Sequence, residues 1–192
     1  MAAESLLLVL AFTLIVVNAF FVAAEFAMVR VRASRMVARA EAGNWRARAV
    51  VAAQRHLDAF LSATQLGVTL TSLGLGWVGE PAFAHLLAPV FVALGVESPV
   101  VIHNTSVAVA FALISFLHIV VGELAPKSYA IRATERVALW VAFPMRVFQV
   151  VFKPALWVLA RASEETLRLV GVTAERSGDL AHSEEELRIL LA

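Results

Sequence analysis

Three windows of this sequence, Ser5–Ala24, Ala59–Gly79 and Ser98–Gly122, contain no aspartate, glutamate, lysine or arginine. Each is long enough to cross a hydrocarbon core, which takes roughly 20 residues of helix. Three such runs in 192 residues commit the chain to a bilayer. Hydrophobic residues accordingly make up 60% of it, against about 45–50% in soluble domains. A fourth apolar region, Val137–Ala160, is interrupted by Pro144, Arg146, Lys153 and Pro154 and does not read as a simple span. The expected fold is all-α, with three transmembrane helices over about residues 5–29, 58–79 and 98–123 and cytoplasmic juxtamembrane or interfacial helices beside them.

The opening "MAAESLLLVLAFTLIVVNAFF" lacks the basic start of a secretory signal and runs on into a basic segment, so it reads as a retained first span. With no cysteine, disulfides and thiolate metal sites are excluded. A net charge of +1 gives no sign of a nucleic-acid partner. The placement of charge is more informative. All lysines and arginines lie either between Arg30 and Arg55 or from Lys127 onward, and none lies between Asp58 and Gly122. By the positive-inside rule the N-terminus is outside, the connection "EPAFAHLLAPVFVALGVE" is external and everything after Lys127 is cytoplasmic. The location expected is a cell membrane, inner or plasma, with an odd number of crossings.

This divides the chain into a transmembrane domain at 1–134, interfacial helices at 135–175 and a linker helix beginning in 176–192. Between the first two spans, "RVRASRMVARAEAGNWRARAVVAAQRHLD" has helix-forming composition broken at Gly43–Asn44, which predicts a basic hairpin against anionic lipid. In residues 135–170, single charges among apolar stretches suit helices lying at the interface, with Trp140 and Trp157 near headgroup level. Near the end, Ser183 and Glu186 form a capping box opening a helix toward a further cytoplasmic domain.

Ionisable groups inside a membrane cost at least about 2.5 kcal/mol on insertion scales and are functional candidates by default. In the first span Asn18, Val22 and Glu25 share a helix face. In the second, Gln65, Thr69, Ser72 and Gly76 form a polar stripe beside a small-residue stripe of Gly67, Thr71 and Gly74, a pattern that chiefly serves close helix packing. The third carries Ser115, His118 and Gly122 on one face and then Glu123. Proline has no N–H, so Pro126 leaves the Gly122 carbonyl without its usual helical donor at membrane depth. Protein, water or a cation must satisfy it. A carbonyl beside a carboxylate is an oxygen-rich pair of the kind that hard cations prefer. With spans one and three parallel and span two antiparallel, the converging set is Glu25, Thr69, Ser72, Gly122 and Glu123. Its two carboxylates call for a cation between them.

The stretches "NAFFVAAEFAMVRVRASR", "QLGVTLTSLGLGWVGEPA" and "HIVVGELAPKSYA" together resemble the membrane (DUF21-type) domain of the CorC/CNNM family of magnesium transporters. The resemblance implies magnesium export, with sodium as coupling ion, by a homodimer with three spans per chain and a cytoplasmic CBS-type module beyond them. It places the magnesium site on Glu25, on the "TLTS" stretch with Thr69 and Ser72, and on Gly122 and Glu123. Many relatives have serine or glycine where this chain has Val22, Ala23 and Ala24, so side-chain oxygens from that turn are missing here. A non-transporting alternative is a dimeric scaffold that senses magnesium. An enzyme is not expected, because an intramembrane metalloprotease needs more than His118 and an H-E-x-x-H pair is missing.

Overall fold

A computed structural model describes residues 2–170, which are helical almost throughout and contain no strand. The expected capping box at Ser183 and Glu186 lies outside the described residues. The long helices are α1 (Ala2–Arg30), α4 (Leu57–Ala93) and α5 (Pro99–Leu117), which continues through a π-helical segment (His118–Leu124) into α6 (Ala125–Arg132). Among the described residues, three stretches are long and apolar enough to cross a membrane: Ser5–Arg30, Leu57–Ala93 and Pro99–Arg132. Each overlaps one of the three uncharged windows.

Helix α4 runs further than the uncharged window suggests. Its 37 residues include Pro81, Pro89 and most of the segment read as an external connection. At 1.5 Å per residue it is roughly 55 Å long, against a hydrocarbon core of about 30 Å. Proline within a helix costs one backbone bond, but it does not force a turn when the freed carbonyl can find another partner. The turn is set instead by Gly95 at φ 83°. Gly95 N–H donates to the Val92 carbonyl and Val96 N–H to that of Phe91, the paired bonds of a glycine-terminated helix.

The same device makes the basic hairpin. Helix α2 (Ala33–Glu41) ends at Gly43, whose φ is 91°. Gly43 N–H bonds the Ala40 carbonyl and Asn44 N–H that of Arg39. Asn44 then caps α3 (Trp45–Gln54), its Oδ1 accepting from the backbone of Arg46 and Ala47 at 3.0 and 3.2 Å. The break expected at Gly43–Asn44 is thus a termination and an initiation in adjacent residues.

Within the spans, Ala11 and Ile15 of α1, Leu75 and Phe83 of α4 and Ala110 and Ile114 of α5 form a buried core cluster. The small-residue stripe of α4 faces α1. A Cβ at Gly67 would overlap the Phe21 ring, and one at Gly74 would stand 3.4 Å from Leu14. Helix α7 (Thr134–Val151) packs on α1 and α3 and buries Val137, Ala138, Val141, Ala142 and Met145, a spacing that keeps one face inward. Aromatic pairs extend this contact: Trp140 on Phe20, Phe148 on Phe21 and Phe143 on Trp45, with ring centroids 5.9, 4.8 and 5.7 Å apart. Trp140, by contrast with its neighbours Val141 and Ala142, remains exposed.

Arg35 and Arg39 of α2 close on Glu135 at the start of α7, at 2.6 and 2.7 Å. The Arg35 hydrogen bond holds the Glu135 carboxyl below the usual carboxylate range. A depressed folded value stabilises the fold at neutral pH, and that contribution is lost as pH falls through it. Glu135→Gln should therefore lower the neutral-pH thermal midpoint slightly, since the arginines are half exposed, and flatten its decline on acidification. Thermal unfolding at neutral and acidic pH measures both. An unchanged acid profile would remove this clamp from the account.

A second unit begins at Pro154 and contains most of α8 (Lys153–Leu169). Helix α8 buries none of its side chains and carries the ion pairs Arg161–Glu164 and Arg168–Glu165 along its surface.

Candidate functional site

The uncharged middle of α1 contains one amide, Asn18, and burying it obliges the fold to supply partners. Asn18 is 2% exposed. Its Nδ2 donates to the Gly122 carbonyl at 3.0 Å, and its Oδ1 accepts from Thr71 Oγ1 at 2.8 Å. One residue from each span therefore meets at a single buried point. The Thr71 hydroxyl also lies 2.8 and 3.0 Å from the Gly67 and Val68 carbonyls of its own helix.

Proline explains why Gly122 is available. With no N–H at Pro126 the ladder loosens ahead of it, and Ala125 N–H reaches back five residues to the Val120 carbonyl. The backbone does not break. It widens into a π-helical turn, and the carbonyl that Pro126 cannot engage is taken by Asn18. Of the three partners open to it, the fold uses protein.

Beside this cluster is a cavity of about 210 Å³ whose polar wall is formed by Ser72, Ser115 and His118. Ser72 Oγ lies 3.4 Å from His118 Nε2, a long contact. The face read as Ser115, His118 and Gly122 is thus turned inward. His118 also bounds the approach to Gly122, where an added Cβ would stand 2.9 Å from its Cδ2 and 3.3 Å from Asn18 Nδ2.

The other expected site residues stand apart from the cluster. Thr69 is exposed and bonds back to the Gln65 carbonyl at 2.8 Å. Glu123 is exposed, one residue beyond the buried Gly122. Glu25 is partly buried. Lys127 lies over the Phe26 ring at 4.5 Å. An ammonium that the sequence put at the cytoplasmic boundary thus lies against the residue next to Glu25. Among the described residues no group of three or more histidines and carboxylates is gathered as a metal cluster. The residues missing from the expected set are Asn18 and Thr71. The signal was present, since Asn18 is a lone amide in an apolar run, but Thr71 read only as a packing residue.

The model of the Cyclin M transmembrane N-terminal domain matches residues 9–192. The chain belongs to this family. It is 48% identical over 185 residues to the UPF0053 protein YhdT of Bacillus subtilis, covering 96% of this chain and 40% of that protein. YhdP of the same organism is 45% identical over 185 residues, covering 96% and 41%. An uncharacterized protein of Mycobacterium tuberculosis is 40% identical over 183 residues, covering 95% and 52%. The chain thus spans about half or less of the length of these curated relatives. In this Cyclin M domain, "GELAP" forms the end of the π-helical turn and the first residues of α6, and the Asn18 amide closes that turn onto the first span.

Proposed function

We propose that this chain is the membrane portion of a magnesium transporter that exports the ion in exchange for inward sodium, working as a homodimer rather than as an enzyme. The observation that carries the reading is the buried meeting of Asn18, Thr71 and Gly122, one from each span, in a Cyclin M family domain. Amide, hydroxyl and backbone carbonyl oxygens are hard donors suited to magnesium and sodium. A widened helix presenting a backbone carbonyl near the middle of a span is also how membrane transporters form ion sites.

In this reading Gly122 and Ser72 exchange their present hydrogen bonds for the ion, with Thr69, Glu25 and Glu123 along its path. Glu123, exposed beside the buried carbonyl, passes the ion between the cluster and water. The basic segments after α1 and from Lys127 onward support an N-terminus outside and a cytoplasmic C-terminus. The cytoplasmic module implied by family resemblance belongs to the same proposal.

The deciding experiment is magnesium flux by the full-length protein in sealed vesicles with an imposed sodium gradient. Flux that follows the gradient and falls at least tenfold in Glu123→Gln is expected. Magnesium binding without flux would replace the transporter with the sensor. Full flux in the variant would remove Glu123 from the path.

A further inference from the structure

A cavity of about 570 Å³ lies where α1 and α6 end and α2 and α7 begin. Its lining includes Arg30, Arg32, Arg35, Arg132 and Arg136, with Glu135 as the one carboxylate among them. That carboxylate is already engaged on both oxygens, by Arg35 and by Arg39. Arg30, Arg32, Arg132 and Arg136 have no hydrogen bond or ion pair among the described residues. Four guanidinium charges thus share one concave space with a single carboxylate that two other arginines already engage.

Helix dipoles account for only part of this arrangement. Arg30 and Arg132 occupy last turns, where cations are favoured. Arg35 and Arg136 occupy the first turns of α2 and α7, where a cation is disfavoured and an anion welcome. A set of arginines held against that preference is relieved by a bound anion. The planar guanidinium fork matches phosphate oxygens in pairs, and several forks converging suit a phosphate better than a single carboxylate. Arg30 and Arg132 also end the first and third candidate spans, so the cavity is level with a membrane surface.

We propose that this cavity binds the phosphate group of an anionic ligand, carried either by an acidic phospholipid headgroup or by a soluble phosphate compound. Its level at the span ends favours the headgroup. Binding there would tie the basic hairpin and α7 to the spans from outside the ion cluster.

The test uses the purified full-length protein in neutral detergent. Native mass spectrometry measures binding of phosphatidylglycerol and phosphatidylcholine, and calorimetry measures binding of inorganic pyrophosphate. The wild type should bind phosphatidylglycerol at least tenfold more tightly than phosphatidylcholine, and Arg132→Gln with Arg136→Gln should abolish that preference. Arg48→Gln with Arg55→Gln, outside the lining, should keep it. Pyrophosphate binding lost in the same cavity variant, without a lipid preference, also supports the proposal and assigns the phosphate to a soluble source. If the double variant does not fold, Arg30→Gln alone serves, with at least a threefold loss expected. Binding of neither ligand, or equal losses in the cavity and control variants, overturns the proposal.

Discussion

Asn18→Leu should unfold at a markedly lower temperature than the wild type and carry no measurable magnesium flux. Leucine keeps the branched skeleton of asparagine but replaces the amide with two bulkier methyls, so no cavity opens, the hydrogen bonds are lost, and a methyl crowds the Gly122 carbonyl 3.0 Å from the present Nδ2. The Gly122 carbonyl loses its Asn18 donor, and Pro126 supplies no replacement. A buried acceptor left without a partner costs about 1–3 kcal/mol. Thr71 loses less, because the Gly67 and Val68 carbonyls remain within reach of its hydroxyl. For a chain of this size each kcal/mol moves the midpoint by about 2–4 °C. The flux should fail for a second reason, since Asn18 positions the carbonyl proposed to meet the ion. Asn18→Ser, which keeps a short polar group but cannot span the gap, should fall between the two. Thermal unfolding in detergent and vesicle flux read the two consequences separately. A leucine variant with wild-type stability would show that the Gly122 carbonyl is satisfied another way, and wild-type flux would remove the cluster from transport.

The spans were legible in the sequence because lipid imposes a simple requirement. Twenty uncharged residues in a row have few alternatives to a buried helix, and Ser5–Arg30 follows its window closely. The packing of α4 on α1 was legible for a related reason, since Gly67 and Gly74 admit close approach and Phe21 and Leu14 take it up. Gly43 marked its own turn through the positive φ it alone tolerates cheaply. The length of α4 was not legible. Pro81 and Pro89 look like breakers, yet membrane helices accommodate proline, and only the Gly95 termination sets where the helix stops.

The site was readable in part, and the division has a physical cause. Pro126 identifies the carbonyl that loses its donor, because that follows from local covalent structure. The donor that replaces it does not follow, since it lies 104 residues away on another helix. Helix faces place Asn18, Val22 and Glu25 together along α1 but leave open which of them meets α5. Glu25, Thr69 and Glu123 were proposed on charge and depth. The fold leaves Glu25 partly buried and Thr69 and Glu123 exposed, so the part proposed for them in transport rests on flux and not on a preformed cage.

Gly122→Ala sets two familiar effects against each other at the point where the spans meet. Alanine is the better helix former by about 1 kcal/mol, which alone predicts a gain. Against it, the new Cβ would stand 2.9 Å from His118 Cδ2, 3.3 Å from Asn18 Nδ2 and 3.6 Å from Ile15 Cγ2. Overpacking of this kind costs about 1–3 kcal/mol, and here the neighbours have little room to yield. Ile15 belongs to the core, Asn18 is held by its two hydrogen bonds, and His118 begins the π-helical turn itself. Crowding should win. Gly76→Ala provides the contrast, because a Cβ there meets nothing within 4 Å, so propensity acts alone. The expected order of thermal midpoints is Gly76→Ala at or above the wild type and Gly122→Ala below both. Magnesium flux through Gly122→Ala should fall at least tenfold as the methyl displaces the Asn18 amide from the carbonyl. If Gly122→Ala matches Gly76→Ala in stability, the turn opens enough to admit a methyl, and the tight meeting of Asn18, His118 and Gly122 is not what holds the first and third spans in register.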